Sequence, residues 1–162
     1  MNLFEKVFRE LNKAKVKYLV VGGVAVNLYG YLRFTADLDL LVLLDENNLR
    51  KIDAVMGKMK YSERLPVSIM DLKNQKQVTK WLKEKNMKAY TFNPPKNNPL
   101  QIDIVIEESL KFAEFFKRKK IKSMSGLRIP VVSIKDIIGM KKRAKRDKDM
   151  LDLEVLKYLA DL

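Results

Sequence analysis

The chain has 162 residues, 47% hydrophobic and 33% charged. That is the composition of a globular protein with one domain, long enough to bury a core and short for a two-domain enzyme. It has no cysteine and no histidine, which excludes disulfides and thiolate zinc sites and removes the commonest general base and transition-metal ligand. Any catalysis falls to carboxylates, Lys, Arg, Tyr, Ser or Thr acting with a bound hard metal. Thirty-three basic against twenty acidic residues give a net charge of +13, a field that attracts polyanions such as nucleotides or RNA. A lysine-rich surface is also a solubility or thermophile habit, so charge alone does not identify the partner. The apolar stretches around Tyr18–Val21 and Leu38–Leu44 are far short of a membrane span. The N-terminal Met1-Asn-Leu-Phe-Glu-Lys6 reads as a helix start rather than a signal peptide, and the expected compartment is the cytoplasm.

In chain order, Leu3, Phe4, Val7, Phe8 and Leu11 recur at helical spacing and predict an amphipathic helix to about Lys15. Lys17 to Val21 reads as a buried strand broken by Gly22-Gly23, and Val24 to Tyr31 as a helix. Asp37 to Leu43 is the second strand, and Asp45 is placed to cap a helix from Glu46 to Lys60. Tyr61 to Asp71, with Pro66, looks irregular, with a short extended piece at Val67 to Met70. Asn74 to Glu84 reads as helix and Met87 to Phe92 as strand, followed by a turn over Asn93 to Pro99. Leu100, Ile102, Ile104 and Ile106 form a strict alternating set, with Asp103 on the opposite face beside Gln101 and Val105. Ser109 is expected to cap a short helix through Phe116. Lys119 to Ser125 and Leu127 to Val132 flank Gly126 as a hairpin. Ser133 opens a helix to about Lys145, and Asp147 to Leu162 closes the chain as another. No internal repeat or low-complexity linker interrupts this order, which predicts a single α/β or α+β domain over residues 1–162. Its central sheet should be mixed, and residues about 133–162 should form a C-terminal helical part.

Asp37 and Asp39 stand two apart in the second strand, so they project side by side while Leu38, Leu40 and Val42 face a core. Two carboxylates held together repel unless a cation lies between them, and hard ions such as Mg²⁺ are held by one or two carboxylates plus substrate phosphates. The pair therefore reads as a metal–nucleotide site. Gly22-Gly23, after a buried strand and before a helix, allows the backbone to approach a phosphate closely, although alone the pair reads more simply as a tight strand–helix turn. No Gly-Lys-Ser/Thr follows it and no Gly-x-Gly-x-x-Gly fingerprint is present.

Three elements occur together: Val21-Gly22-Gly23, then Arg33-x-Thr35-x-Asp37-Leu38-Asp39-Leu40, and a later Ile102-Asp103-Ile104. The combination resembles the nucleotidyltransferase superfamily that includes DNA polymerase β, kanamycin-type antibiotic nucleotidyltransferases, CCA-adding enzymes and the minimal nucleotidyltransferases. The resemblance spans about residues 17–106. The segment Ile134 to Glu154, with Lys148-Asp149-x-x-Asp152, is similar to the end of a bacterial and archaeal subgroup that includes toxins of toxin–antitoxin pairs. The resemblance implies a nucleotidyltransferase fold and transfer of an NMP from an NTP to an acceptor, with release of pyrophosphate. In it, Asp37 and Asp39 would hold two Mg²⁺ ions (Mn²⁺ being an alternative), and Asp103 would join the catalytic-side metal and activate the acceptor hydroxyl. Gly22 and Gly23 would contact the β- and γ-phosphates. The acceptor is an RNA or tRNA end, a protein side chain or a small molecule such as an aminoglycoside.

Other positions carry two readings each. Arg33 matches the subgroup's Arg-x-Thr and either neutralises triphosphate charge, fixes Asp37 by a bidentate bond, or makes a structural salt bridge; Thr35 either faces the nucleotide or bonds its own loop. Lys141, Lys145, Arg146 and Lys148 line a helix and its exit, where Lys141 or Lys145 can reach a phosphate and the rest read as a solvated face. Asp149 and Asp152 read as a cap or bridge between the last two helices. Tyr29, Tyr31, Phe34 and Trp81 are candidates to stack a base or to fill the core. The basic run 117–122 can track an RNA backbone or protect a hairpin edge. Besides the enzyme, the sequence admits a silent nucleotide-binding module that pairs with an antitoxin, and a basic RNA-binding protein.

Overall fold

The structure is a computed structural model that describes residues 1–144 and 149–161. The chain begins with helix α1 (Leu3–Lys13), capped by Asn2, whose side chain accepts from Glu5 N at 2.8 Å and donates to Glu5 Oε1 at 3.1 Å. Strand β1 (Tyr18–Val21) follows, buried throughout, then helix α2 (Gly22–Leu28) and strand β2 (Asp37–Val42). The helix begins two residues before the sequence pattern suggested: Gly22 and Gly23 do not break the chain between strand and helix but form the first turn of α2. Helix α3 (Glu46–Lys58) is capped as expected, Asp45 accepting from Asn48 N at 2.7 Å.

The segment after α3 corrects the sequence reading. The extended piece is β3 (Ser62–Glu63), and Ile69–Lys73 is a 3-10 helix, not a strand. Ser68 accepts from Met70 N at 3.1 Å to start that turn, and Ile69 and Leu72 are buried; burial of two apolar residues three apart outweighs the strand preference of Val67 and Ile69. Helix α4 (Gln75–Lys85) and strands β4 (Ala89–Asn93) and β5 (Gln101–Val105) lie as expected. Helices α5 (Ile106–Ser109) and α6 (Phe112–Lys117) precede the hairpin β6 (Lys120–Met124) and β7 (Leu127–Val131). The last elements are α7 (Ile134–Ala144), where Ser133 accepts from Asp136 N at 3.1 Å, and α8 (Asp149–Ala160). Lys145, Arg146, Asp147 and Lys148 lie outside the described residues.

The sheet order is β3-β4-β5-β2-β1-β7-β6. β2 runs antiparallel to β1 and parallel to β5, and β7 runs parallel to β1, so the sheet is mixed as predicted. Leu38, Leu40, Ile102, Ile104, Tyr90 and Phe92 are buried from one face of β2, β5 and β4. The alternate residues Asp37, Asp39, Gln101, Asp103, Ala89, Thr91 and Asn93 are only half-buried. This second face of three neighbouring strands is where chemistry is accessible. β1 and β2 are fixed at their far ends by Asn48, 3% exposed, which accepts from Lys17 N (2.8 Å) and donates to Lys17 O (3.0 Å) and Leu43 O (2.9 Å).

Ser109 is not a helix cap. It is buried inside α5, donating to Val105 O at 2.5 Å and accepting from Val42 N at 3.1 Å, where it closes the end of β2. Ser109→Ala leaves the Val42 N–H unpaired and should lower stability by about 1–3 kcal/mol, read as a lower midpoint in urea unfolding with an unchanged m-value.

Candidate active site

The parallel register of β2 and β5 pairs Asp37 with Gln101 and Asp39 with Asp103. Adjacent strands lie about 4.8 Å apart, and both residues project from the half-buried face, so the carboxylates of Asp39 and Asp103 are neighbours. Asp103 is held from both sides. Thr91 Oγ1 donates to its Oδ1 at 2.7 Å from β4, and Gln101 Nε2 donates to Oδ1 at 3.1 Å and Oδ2 at 3.2 Å. Gln101 in turn accepts from Arg64, which also donates to Asn93 Oδ1 at 3.1 Å. Sequence reading passed over Thr91 and Arg64. The only signal for Thr91 was its place on the polar side of the alternating strand.

Gly22 and Gly23 have a local task. Gly22 has φ +66°, and a Cβ there would collide with Asp39 Oδ2 and lie 3.1 Å from Asp39 Cβ. β1 and β2 bring this about, since Val21 pairs with Asp39. A Cβ on Gly23 would sit 2.8 Å from Thr35 Oγ1 and 3.2 Å from Arg33 Nη2. The space that glycine leaves is therefore filled by the Asp39 carboxylate on one side and by Thr35 and Arg33 on the other. Thr35 also donates to the Asp37 carbonyl at 3.2 Å, as a loop-bonding threonine would.

Arg33 makes an ion pair with Asp152, Nη2 to Oδ2 at 3.0 Å, and its backbone N–H donates to Asn27 Oδ1 at 3.0 Å. The salt-bridge reading of Arg33 thus finds a partner on α8. The same Asp152 oxygen accepts from Lys141 Nζ at 3.0 Å. Lys141 is 5% exposed and Asp152 2%, so Lys141 is not part of a solvated basic face, and Asp152 bridges α7 and α8. A cleft of about 500 Å³ opens between α7 and the sheet face formed by β2, β4 and β5. Its lining includes Gly22, Asp39, Asp103, Glu107, Lys141 and Arg143. Asp37 lies two residues from Asp39 on the same face of β2, outside that lining. Among the described residues no group of three or more His, Cys, Asp or Glu is placed to hold a metal ion. The register pair Asp39 and Asp103 does offer two neighbouring carboxylates, the protein share that Mg²⁺ takes when phosphates complete its shell.

The profile of a family described as "Nucleotidyltransferase of unknown function (DUF6036)" matches residues 1–161. The chain belongs to this nucleotidyltransferase family. No curated protein matches it. Among solved structures, the lincosamide antibiotic adenylyltransferase LnuA, lincomycin-bound, superposes with a TM-score of 0.61 at 13% identity, over 96% of this chain and 95% of that one. ANT(2″)-Ia in complex with adenylyl-2″-tobramycin gives 0.60 at 11% identity, over 95% and 84%. A Thermotoga maritima protein provisionally described as a nucleotidyltransferase gives 0.58 at 17% identity, over 99% and 92%. At these identities the likeness is one of fold.

In this nucleotidyltransferase the aromatic candidates separate by position. Tyr29 donates its hydroxyl to Val132 O at 2.7 Å beneath the ammonium of Lys122, 4.5 Å from the ring centroid. Burial, with the charge of Asp136 second, pushes its pKa up to about 12. It ties α2 to the end of β7. Trp81 packs on the core, whereas Phe34, beside Arg33, is 87% exposed. Lys120 and Ile121 are exposed on β6, the last strand of the sheet, as an edge protected by lysine requires. No described helix is long and apolar enough to cross a membrane.

Proposed function

We propose that this nucleotidyltransferase transfers an NMP from a nucleoside triphosphate such as ATP to an acceptor hydroxyl through Asp37, Asp39 and Asp103. The observation that carries the reading is the register of Asp39 with Asp103 beside the close-packed Gly22. A binding module without turnover would have gained if Asp103 lay far from the Asp37/Asp39 pair, and the register argues against it. The acceptor oxygen attacks the α-phosphorus as the bond from that phosphorus to its bridging oxygen breaks. Pyrophosphate leaves with the electron pair. Asp103, oriented by Thr91 and Gln101, takes the hydroxyl proton. Asp39 and Asp103 would hold Mg²⁺ or Mn²⁺, with Asp37 beside them on the same face of β2, and the ion would neutralise charge on the attacking and leaving oxygens. Gly22, Gly23, Arg33, Thr35 and Lys141 would face the triphosphate, and Lys145, outside the described residues, would extend that basic side.

The acceptor classes are an RNA end, a protein and a small molecule such as an aminoglycoside. An antitoxin is a further partner suggested by the subgroup. The test incubates the protein with each α-³²P-labelled NTP and Mg²⁺ or Mn²⁺ in a mixture of total RNA, protein extract and aminoglycosides. Label in one fraction, lost with Asp37→Asn and with EDTA, is the expected result and names the acceptor class. Label that survives Asp37→Asn would refute the carboxylate mechanism. Salt-sensitive RNA binding that needs neither NTP nor metal would favour the RNA-binding reading instead.

A further inference from the structure

Charge is unevenly spread along the chain. Residues 111–128 hold seven basic residues and one acidic residue, a net +6 of the whole chain's +13. The densest part is Lys117, Arg118, Lys119, Lys120 and Lys122, at the end of α6, in the loop after it and on β6. A sheet edge is protected by lysine on the strand itself, and this run begins before β6 does. Arg118 has a structural partner, its Nε and Nη2 donating to Asp136 of α7 at 2.9 and 3.1 Å. None of the four lysines makes an ion pair among the described residues. Two of them are nonetheless held in place. Lys119 Nζ stands 4.0 Å from the ring centroid of Phe116, and Lys122 Nζ 4.5 Å from that of Tyr29. A ring face attracts the ammonium and steadies its stem. A lysine so placed has less rotamer freedom to lose on meeting a phosphate.

This surface borders both helices that lead to the carboxylates. Lys122 meets Tyr29 at the end of α2, whose first residue is Gly22. Arg118 meets Asp136 in the first turn of α7, whose Ile137, Met140 and Lys141 line the cleft. At 1.5 Å per residue the seven residues of α2 span about 10 Å, the reach of about three nucleotides stacked 3.4 Å apart. We propose that the lysine surface of α6 and β6 binds the backbone of a single-stranded RNA whose terminal ribose hydroxyl enters the cleft as the acceptor. The inference rests on the reading above in taking the reaction to be NMP transfer, and it narrows the acceptor to RNA. The ribose oxygen forms the new bond to the α-phosphorus as the bond to pyrophosphate breaks, and its proton passes to Asp103. A cleft of about 500 Å³ is the size for one small ligand, so the body of the RNA lies outside it, on the lysines. An anionic lipid surface also attracts lysine, but it takes up an amphipathic helix with large apolar residues beside the charges. Here Ile121 alone, 42% exposed, protrudes among residues 117–124.

Fluorescence anisotropy of a labelled single-stranded RNA oligonucleotide, in EDTA and without NTP, reads this surface apart from the reaction. Lys119→Gln, Lys120→Gln and Lys122→Gln together should weaken binding by about tenfold or more and flatten the slope of log K against log salt by about 2, at about 0.7 per lost phosphate contact. Arg at the same three positions should restore wild-type affinity, which separates lost charge from a failure to fold. Lys76→Gln, Lys80→Gln and Lys83→Gln remove equal charge from the exposed side of α4 and should weaken binding by about twofold at most, through the long-range field alone. Equal losses in the two triple variants would reduce the effect to net charge and overturn the proposal. A wild type that binds phosphatidylserine vesicles but not the RNA would overturn it too. In the transfer assay the α6–β6 variant should raise KM for RNA and leave KM for NTP unchanged. An unchanged KM for RNA, or label passing only to aminoglycosides, would overturn the proposal while NMP transfer stands. Lysine-dependent RNA binding with no label transferred from any NTP would keep the binding surface and sink the transfer reaction.

Discussion

Asp39→Asn and Asp103→Asn should each reduce NMP transfer by about 10³-fold or more while the far-ultraviolet circular dichroism stays that of the wild type. Each change removes one of two neighbouring carboxylates on paired strands, and with it charge stabilisation that a metal-assisted displacement needs, several kcal/mol of barrier at about 1.4 kcal/mol per tenfold. Backbone pairing of β2 with β5 does not depend on those side chains, so the fold should persist. The measurement is kcat/KM against Mg²⁺ concentration. Saturating metal should not restore either variant. Recovery to wild-type rates at high Mg²⁺ would mean that the carboxylates only raise metal affinity.

Gly22→Ala is expected to cost both stability and activity. The backbone at Gly22 has φ +66°, where an L side chain is disfavoured by about 1–2 kcal/mol, and the new methyl group would occupy the volume of the Asp39 carboxylate. Either the first turn of α2 shifts or Asp39 leaves its place beside Asp103. A displacement of about 1 Å at reacting groups can cost about 10²-fold in rate. Gly57→Ala is the control: it lies within α3 with nothing near its added Cβ, and should stabilise the protein by about 0.5–1 kcal/mol with unchanged kcat. Equal losses of activity in the two variants would remove the steric explanation.

Periodicity carried most of the sheet. The alternation in Asp37–Val42 and Gln101–Val105 survives into the structure because each strand has one buried face, and that requirement is written in single residues two apart. The hairpin was legible from its turn instead: Gly126, at φ +81°, separates two short runs, and β6 itself has no buried face. The 3-10 helix at Ile69–Lys73 was not, because its short apolar run fits either period and its burial against the rest of the core decided the matter. Ser109 resembled a helix start, yet its hydroxyl serves a β2 amide far back in the chain. The candidate site divides likewise. Asp37, Asp39 and Asp103 stood out from strand spacing, whereas the partner of Arg33 could not be read locally. Asp152 lies near the other end of the sequence, and only the packing of α8 brings it to the loop before β2.

The two halves of this site belong to parts of the fold with different resistance to opening. β2 and β5 are each paired along both edges, β2 between β1 and β5, and β5 between β2 and β4. Such interior strands exchange their amide hydrogens only through large openings. α8 closes the described chain and leaves Met150, Leu151 and Tyr158 exposed, so it belongs to the peripheral, early-opening class. Under rising heat or denaturant, the helix that carries Asp152 should open first, read as amide exchange over 149–160 that is faster than in β2 and β5. Lys141 and Arg33 then lose their shared counterion while Asp39 and Asp103 remain side by side in the still-protected strands.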